Sequence, residues 1–333
     1  MSLPIPEFFD PQSLDKVWRV PYEQRAQEAA EWARRYALQP AGSSTPKIWL
    51  LLVDVQNTFC IPGFELFVAG QSGRGAVDDN VRLCQFIYRN LDRITSISAT
   101  MDTHLPQQVF HAIFFVDQDG HHPAPYTNVS LAELQAGQWI FNPALAPGFG
   151  ITPDYGQTML IHYAEELEKN GKYTLTIWPY HAMLGGIGHA LVSAVEEAVY
   201  FHSMARLTQP AFEVKGDRPF TEHYSVIGPE VTRGPKGEVL GSHNSRFIDT
   251  LKSVDAVFIA GQAKSHCVAW TISDLLEDIH TSDTALAGKV YLLEDCTSPV
   301  VVPGADFTDA ADDAFARFAA AGMHRIQSTE FPF

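Results

Sequence analysis

The chain has 333 residues with 39 acidic and 23 basic side chains, a formal net charge of −16. No block of Lys or Arg could track phosphates, so nucleic acid and anionic membrane surfaces are poor partners. Four scattered cysteines (Cys60, Cys84, Cys267, Cys296) form neither a disulfide framework nor a zinc-knuckle pattern.

In chain order, Met1–Glu7 lacks the basic flank and long apolar run of a signal peptide, and no later window reaches membrane-spanning length without charge. A cytoplasmic protein with reduced thiols is the expectation. Residues 1–46 read as an N-terminal extension packed outside the core, with a helix over Glu23–Leu38 and a Pro/Gly/Ser linker over Gln39–Pro46. It would cover the core or an interface in a homo-oligomer.

Residues 47–333 read as one domain. Ile48–Val53 is a continuous apolar run, which suits a strand buried on both faces of a parallel sheet. A helix follows over Val77–Leu91, then a strand over Ile94–Thr100. From about 105 to 173 the alternation breaks into a turn-rich insert, too long for an ordinary loop and therefore a lid or a surface insertion. Beyond it come a helix over Ala190–Phe201, strands over Ala211–Val214, Ala256–Ala260 and Lys289–Leu293, a helix over Ala310–Ala321 and a last strand over His324–Gln327. This alternation predicts a three-layer α/β/α, doubly wound, mostly parallel sheet of about six strands. Sites in such sheets lie beyond the carboxyl ends of the strands, where Asp54, Asp102, Lys215 and Cys267 all fall.

Cys267 is placed in the first turn of a helix over Val268–Ile279, where free N–H groups and the helix dipole favour a thiolate. A buried structural cysteine is the alternative. A cysteine nucleophile needs a proton acceptor and a compensating charge. Asp54 suits the first task and Lys215 the second. Gly185-Gly186-Ile187-Gly188 does not follow a strand as a dinucleotide fingerprint would, and Asp117-Gln118-Asp119-Gly120 lacks the other ligands of a calcium loop. Both read as turns, and His121, His122 and His266 read as surface or supporting residues.

Asp54-Val55-Gln56-Asn57-Thr58-Phe59, Lys215-Gly216 and Gly261-Gln262-Ala263-Lys264-Ser265-His266-Cys267-Val268 together resemble the signature regions of the isochorismatase-like cysteine hydrolases. The resemblance spans about Ile48 to Ser298, without most of the insert. It implies an isochorismatase-like fold and a catalytic Asp54, Lys215, Cys267 triad. It further implies an oxyanion hole from the backbone N–H groups of Ala263 and Cys267, a cis peptide at Gln262–Ala263, and Phe59 and Gln262 in the substrate pocket.

Asp102-Thr103-His104, with His111 and the later Trp178-Pro179-Tyr180-His181, resembles the metal site of the nicotinamidases within that superfamily. This implies a divalent metal, Zn, Fe or Mn, on Asp102, His104 and His181, with His111 as an additional candidate. The implied reaction is hydrolysis of a small amide through a thioester, nicotinamide leading. Carbamoyl or ureido substrates, an isochorismatase-like hydrolysis, and a catalytically silent ligand-binding protein are the alternatives. The chain departs from nicotinamidases at Ala182, at Gly185–Gly188, at Lys264, where Thr is usual, and in the length of the insert.

Overall fold

A computed structural model describes residues 2–302 and 304–333. Six strands make the central sheet: β1 (Ile48–Val53), β2 (Ile94–Asp102), β3 (Ala211–Lys215), β4 (Ala256–Gly261), β5 (Val290–Leu293) and β6 (His324–Ile326). Their order is β6-β5-β4-β1-β2-β3, and every neighbouring pair is parallel. β1 lies at the centre with all six residues buried, as its unbroken apolar run requires.

Alternation along β1 sorts the two helix layers. Leu50 and Leu52 join a core with α2 (Gly75–Arg89) and α4 (Ser193–Arg206), while Trp49, Leu51 and Val53 join another with α5 (Arg246–Ser253), α6 (Ala269–Ser282) and α7 (Thr308–Ala320). The three-layer α/β/α prediction holds. The extension does not sit outside the core as expected. Its helix α1 (Tyr22–Arg35) buries Ala29, and the segment before it buries Leu14, in the same cluster as Ile48 and Leu50. Arg25 Nε meets Glu197 Oε1 of α4 at 2.7 Å, a buried pair that fixes α1 in place.

The insert has a core of its own. Helix α3 (Pro153–Lys169) and two short antiparallel ribbons enclose Phe110, Phe114, Phe115, Phe141 and Tyr163. Tyr173, at its end, donates from its hydroxyl to Ser265 O at 2.9 Å. The insert is thus bonded directly to the turn that carries Cys267.

Candidate active site

β1, β2 and β3 end side by side, and so do their terminal polar residues. Asp54 follows β1 with φ of 47°, a left-handed conformation uncommon outside glycine, and its side chain is fully buried. Its N–H donates to Thr100 Oγ1 at 3.0 Å, and Oδ1 accepts from the same hydroxyl. Lys215, the last residue of β3, is the only buried residue of that edge strand. Its ammonium lies 2.9 Å from Asp54 Oδ2, 3.0 Å from Asp102 Oδ1, 2.8 Å from His223 O and 3.5 Å from Cys267 Sγ. One cation thus touches two carboxylates and a thiol.

Cys267 lies in a π-helical turn, Lys264–Val268, that leads into α6, rather than in the first turn of a regular α-helix. Ala263 precedes the turn, and the Gln262–Ala263 peptide is cis. The Ala263 N–H donates to no acceptor among the described residues.

The expected helix-dipole activation of the thiol is outweighed. Burial pushes the Cys267 thiol well up, Lys215 pulls it down, and Asp54 and Asp102 push it up again. Burial also raises Asp54 against the pull of Lys215. Lys215 is itself held well above the usual lysine range: burial lowers it, but Asp102, Asp54 and Cys267 together dominate. The resting centre therefore pairs a protonated thiol with a carboxyl of raised proton affinity beside a fixed cation.

Asp102, His104 and His181 bring one candidate ligand atom each within 4.8 Å of one another, all buried. His104 Nδ1 donates to Gly216 O at 3.2 Å and His181 Nδ1 to Pro179 O at 2.8 Å. These bonds turn both Nε2 atoms toward Asp102 Oδ2, at 2.8 and 3.5 Å. Two ring nitrogens aimed at one carboxylate oxygen call for a cation among them, and backbone acceptors on the far nitrogens are the usual support of metal-binding imidazoles. The donor set fits a divalent metal. His111 stays outside this trio, its ring 6.0 Å from that of His104 and 6.4 Å from that of His181. Its Nε2 is buried with no partner among the described residues.

A cavity of about 220 Å³ opens onto both groups, reaching Cys267, Ala263, Asp102 and His181. Its walls come from Phe59, Phe64 and Tyr224, with Tyr126 from the insert and Trp178 just after it. Among the described residues no Lys or Arg lines it; Glu222, His223 and His266 do.

No protein-family profile matches the sequence. No curated protein matches it either. The structure does find neighbours. An Acinetobacter baumanii nicotinamidase/pyrazinamidase superposes with a TM-score of 0.51 at 18% identity, covering 86% of this chain and 99% of that one. The yeast nicotinamidase gives 0.51 at 18% identity, covering 84% and 99%. The chain has the isochorismatase-like fold.

Within this isochorismatase-like fold, Asp54, Lys215 and Cys267 are brought together, and so are Asp102, His104 and His181. Phe59 lines the cavity. Gln262 does not: it is fully buried, its Nε2 donates to Asp79 Oδ2 at 2.8 Å, and its Oε1 accepts from the Ser298 N–H at 3.3 Å. It braces the nucleophile turn from behind. Lys264 likewise points away, with Nζ 2.6 Å from Asp312 Oδ1. His266 is buried on the cavity wall, and burial holds its ring down to about 3, hence neutral.

Sequence reasoning missed Gln56, which ties β1 to β2 by accepting from the Asp102 N–H and donating to Asp102 O, both at 2.8 Å. It also missed Glu222 and His223, which lie in the irregular stretch between β3 and α5.

Proposed function

We propose that the protein hydrolyses the C–N bond of small carboxamides through a cysteine thioester, with nicotinamide the leading substrate. The observation that carries this reading is the single Lys215 ammonium in contact with Asp54, Asp102 and Cys267. Asp54 accepts the Cys267 thiol proton, and Lys215 keeps the resulting charges tolerable in a buried site. Sγ attacks the amide carbon, and the oxyanion faces the Ala263 and Cys267 N–H groups. Asp54 then gives its proton to the departing nitrogen, and ammonia leaves as the C–N bond breaks. Water, deprotonated by Asp54, cleaves the thioester and releases the acid, restoring the thiol.

Asp102, His104 and His181 would hold a divalent metal, which would supply a Lewis-acid contact to a donor atom of the bound molecule. The aromatic walls suit a planar ring, and the nicotinamidase neighbours share the fold at 18% identity.

The test is ammonia release from nicotinamide by protein of known metal content, with Cys267→Ala alongside. Turnover abolished in the variant establishes the thiol-dependent amidase. No turnover by folded, metal-loaded protein removes nicotinamide and sends the search to ureido and other small amides.

A further inference from the structure

Glu222 differs from the other buried acids of the centre. Asp54 and Asp102 each meet Lys215, whereas Glu222 forms no ion pair among the described residues. It is 5% exposed and lines the cavity. Its Oε1 accepts the His223 N–H at 2.9 Å, and Oε2 has no hydrogen-bond partner among the described residues. Glu65, the other glutamate on the wall, is exposed at the mouth, and its Oε2 accepts from the Thr58 hydroxyl at 3.0 Å.

A carboxylate taken out of water keeps its charge only when something pairs with it, and otherwise takes up a proton. Glu222 lines a space bounded largely by aromatic side chains, with no Lys or Arg among the described lining residues. We infer that Glu222 is a specificity-determining residue that receives an N–H or ammonium hydrogen carried by the substrate away from the scissile amide. The preferred substrates are then small carboxamides with a second, amino-type nitrogen. The surrounding rings favour such a cation further. A carboxylate substituent placed against Glu222 would meet a like charge, so anionic amides are disfavoured there. Nicotinamide carries no such hydrogen beyond its amide and would be a serviceable rather than an optimal substrate.

This inference rests on the amide-hydrolase reading, so its test reads binding as well as turnover. Three matched benzamides serve as probes: 3-(aminomethyl)benzamide, 3-ethylbenzamide and 3-carbamoylbenzoate. Calorimetry on the full chain carrying Cys267→Ala should show the aminomethyl compound binding tighter than the ethyl one by about tenfold or more, the worth of one charge-assisted hydrogen bond. The carboxylate should bind weakest. Adding Glu222→Gln should collapse that order while metal content stays the same. A flat order in the Cys267→Ala protein overturns the inference, and so does an order that survives Glu222→Gln. Loss of metal in Glu222→Gln would also overturn it, by making Glu222 a support of the metal site. If the order holds but Cys267-containing protein releases ammonia from none of the three, substrate recognition by Glu222 stands and the amidase reading falls.

Discussion

Lys215 Nζ lies 2.9 Å from Asp54 Oδ2 while remaining 3.5 Å from Cys267 Sγ, so the candidate base and nucleophile share one ammonium. Replacing Asp54 separates thiol reactivity from catalysis, and replacing Lys215 does not. Asp54 raises the Cys267 thiol. Replacing it with Asn should therefore speed alkylation of Cys267 by iodoacetamide near pH 8. Amide turnover in the same variant should fall by about 10² to 10⁴, the usual worth of a general acid–base group. Lys215→Met should slow both. Turnover left unchanged in Asp54→Asn would remove Asp54 from the role of base.

Gly216 links the triad to the metal ligands. Its φ is +88°, and a Cβ there would come within 3.0 Å of both Asp102 Oδ1 and His104 Cε1. Its carbonyl also receives His104 Nδ1. Gly216→Ala should displace the imidazole and lower bound metal, measured by elemental analysis, by about 10-fold or more in affinity, the range seen when the outer support of a ligand is lost. Asp102→Ala should remove the metal altogether. Unchanged metal content in Asp102→Ala would show that the trio is not a metal site.

Much of this was legible because buried parallel strands produce unbroken apolar runs, and the residue after such a run marks the sheet's carboxyl edge. Asp54 was placed that way, and Asp102 and Lys215 as the residues closing the mixed strands over Ile94–Thr100 and Ala211–Val214. Side-chain direction within a motif was not: Gln262 adjoins the nucleophile turn but faces Asp79, away from the cavity. Glu222 and His223 lie between β3 and α5 on chain with no helical or strand period, so nothing local announced that the segment folds back over Lys215. α3 did carry a signal that went unread, a Thr152 cap followed by Pro153 at the first helical position.

The bond between Tyr173 and Ser265 makes the insert part of the site's support. Tyr173→Phe removes one hydroxyl donor and leaves the Ser265 carbonyl without it, at a cost of about 1 to 2 kcal/mol. Because Ser265 is two residues from the nucleophile, the expected signature is a fall in kcat exceeding any change in KM, together with a small drop in thermal midpoint. A pure stability loss with unchanged kcat would confine the insert to walling the cavity.

His202 provides a pH test of the fold that is independent of the site. It is buried in α4, its Nε2 bonds Ile94 O at 2.9 Å, and burial holds its pKa down from 6.5 to about 4. Between those values the unfolded chain binds a proton that the native ring refuses. The resulting stability is present in full above about pH 6.5 and is lost as pH falls toward 4. Two and a half units correspond to about 3 kcal/mol. In His202→Gln that portion of the acid sensitivity should vanish, so denaturant unfolding of the two proteins should differ most at neutral pH and converge by about 3 kcal/mol on acidification. A stability difference that stays constant from pH 7 to 4 would show that His202 takes up its proton in the native state.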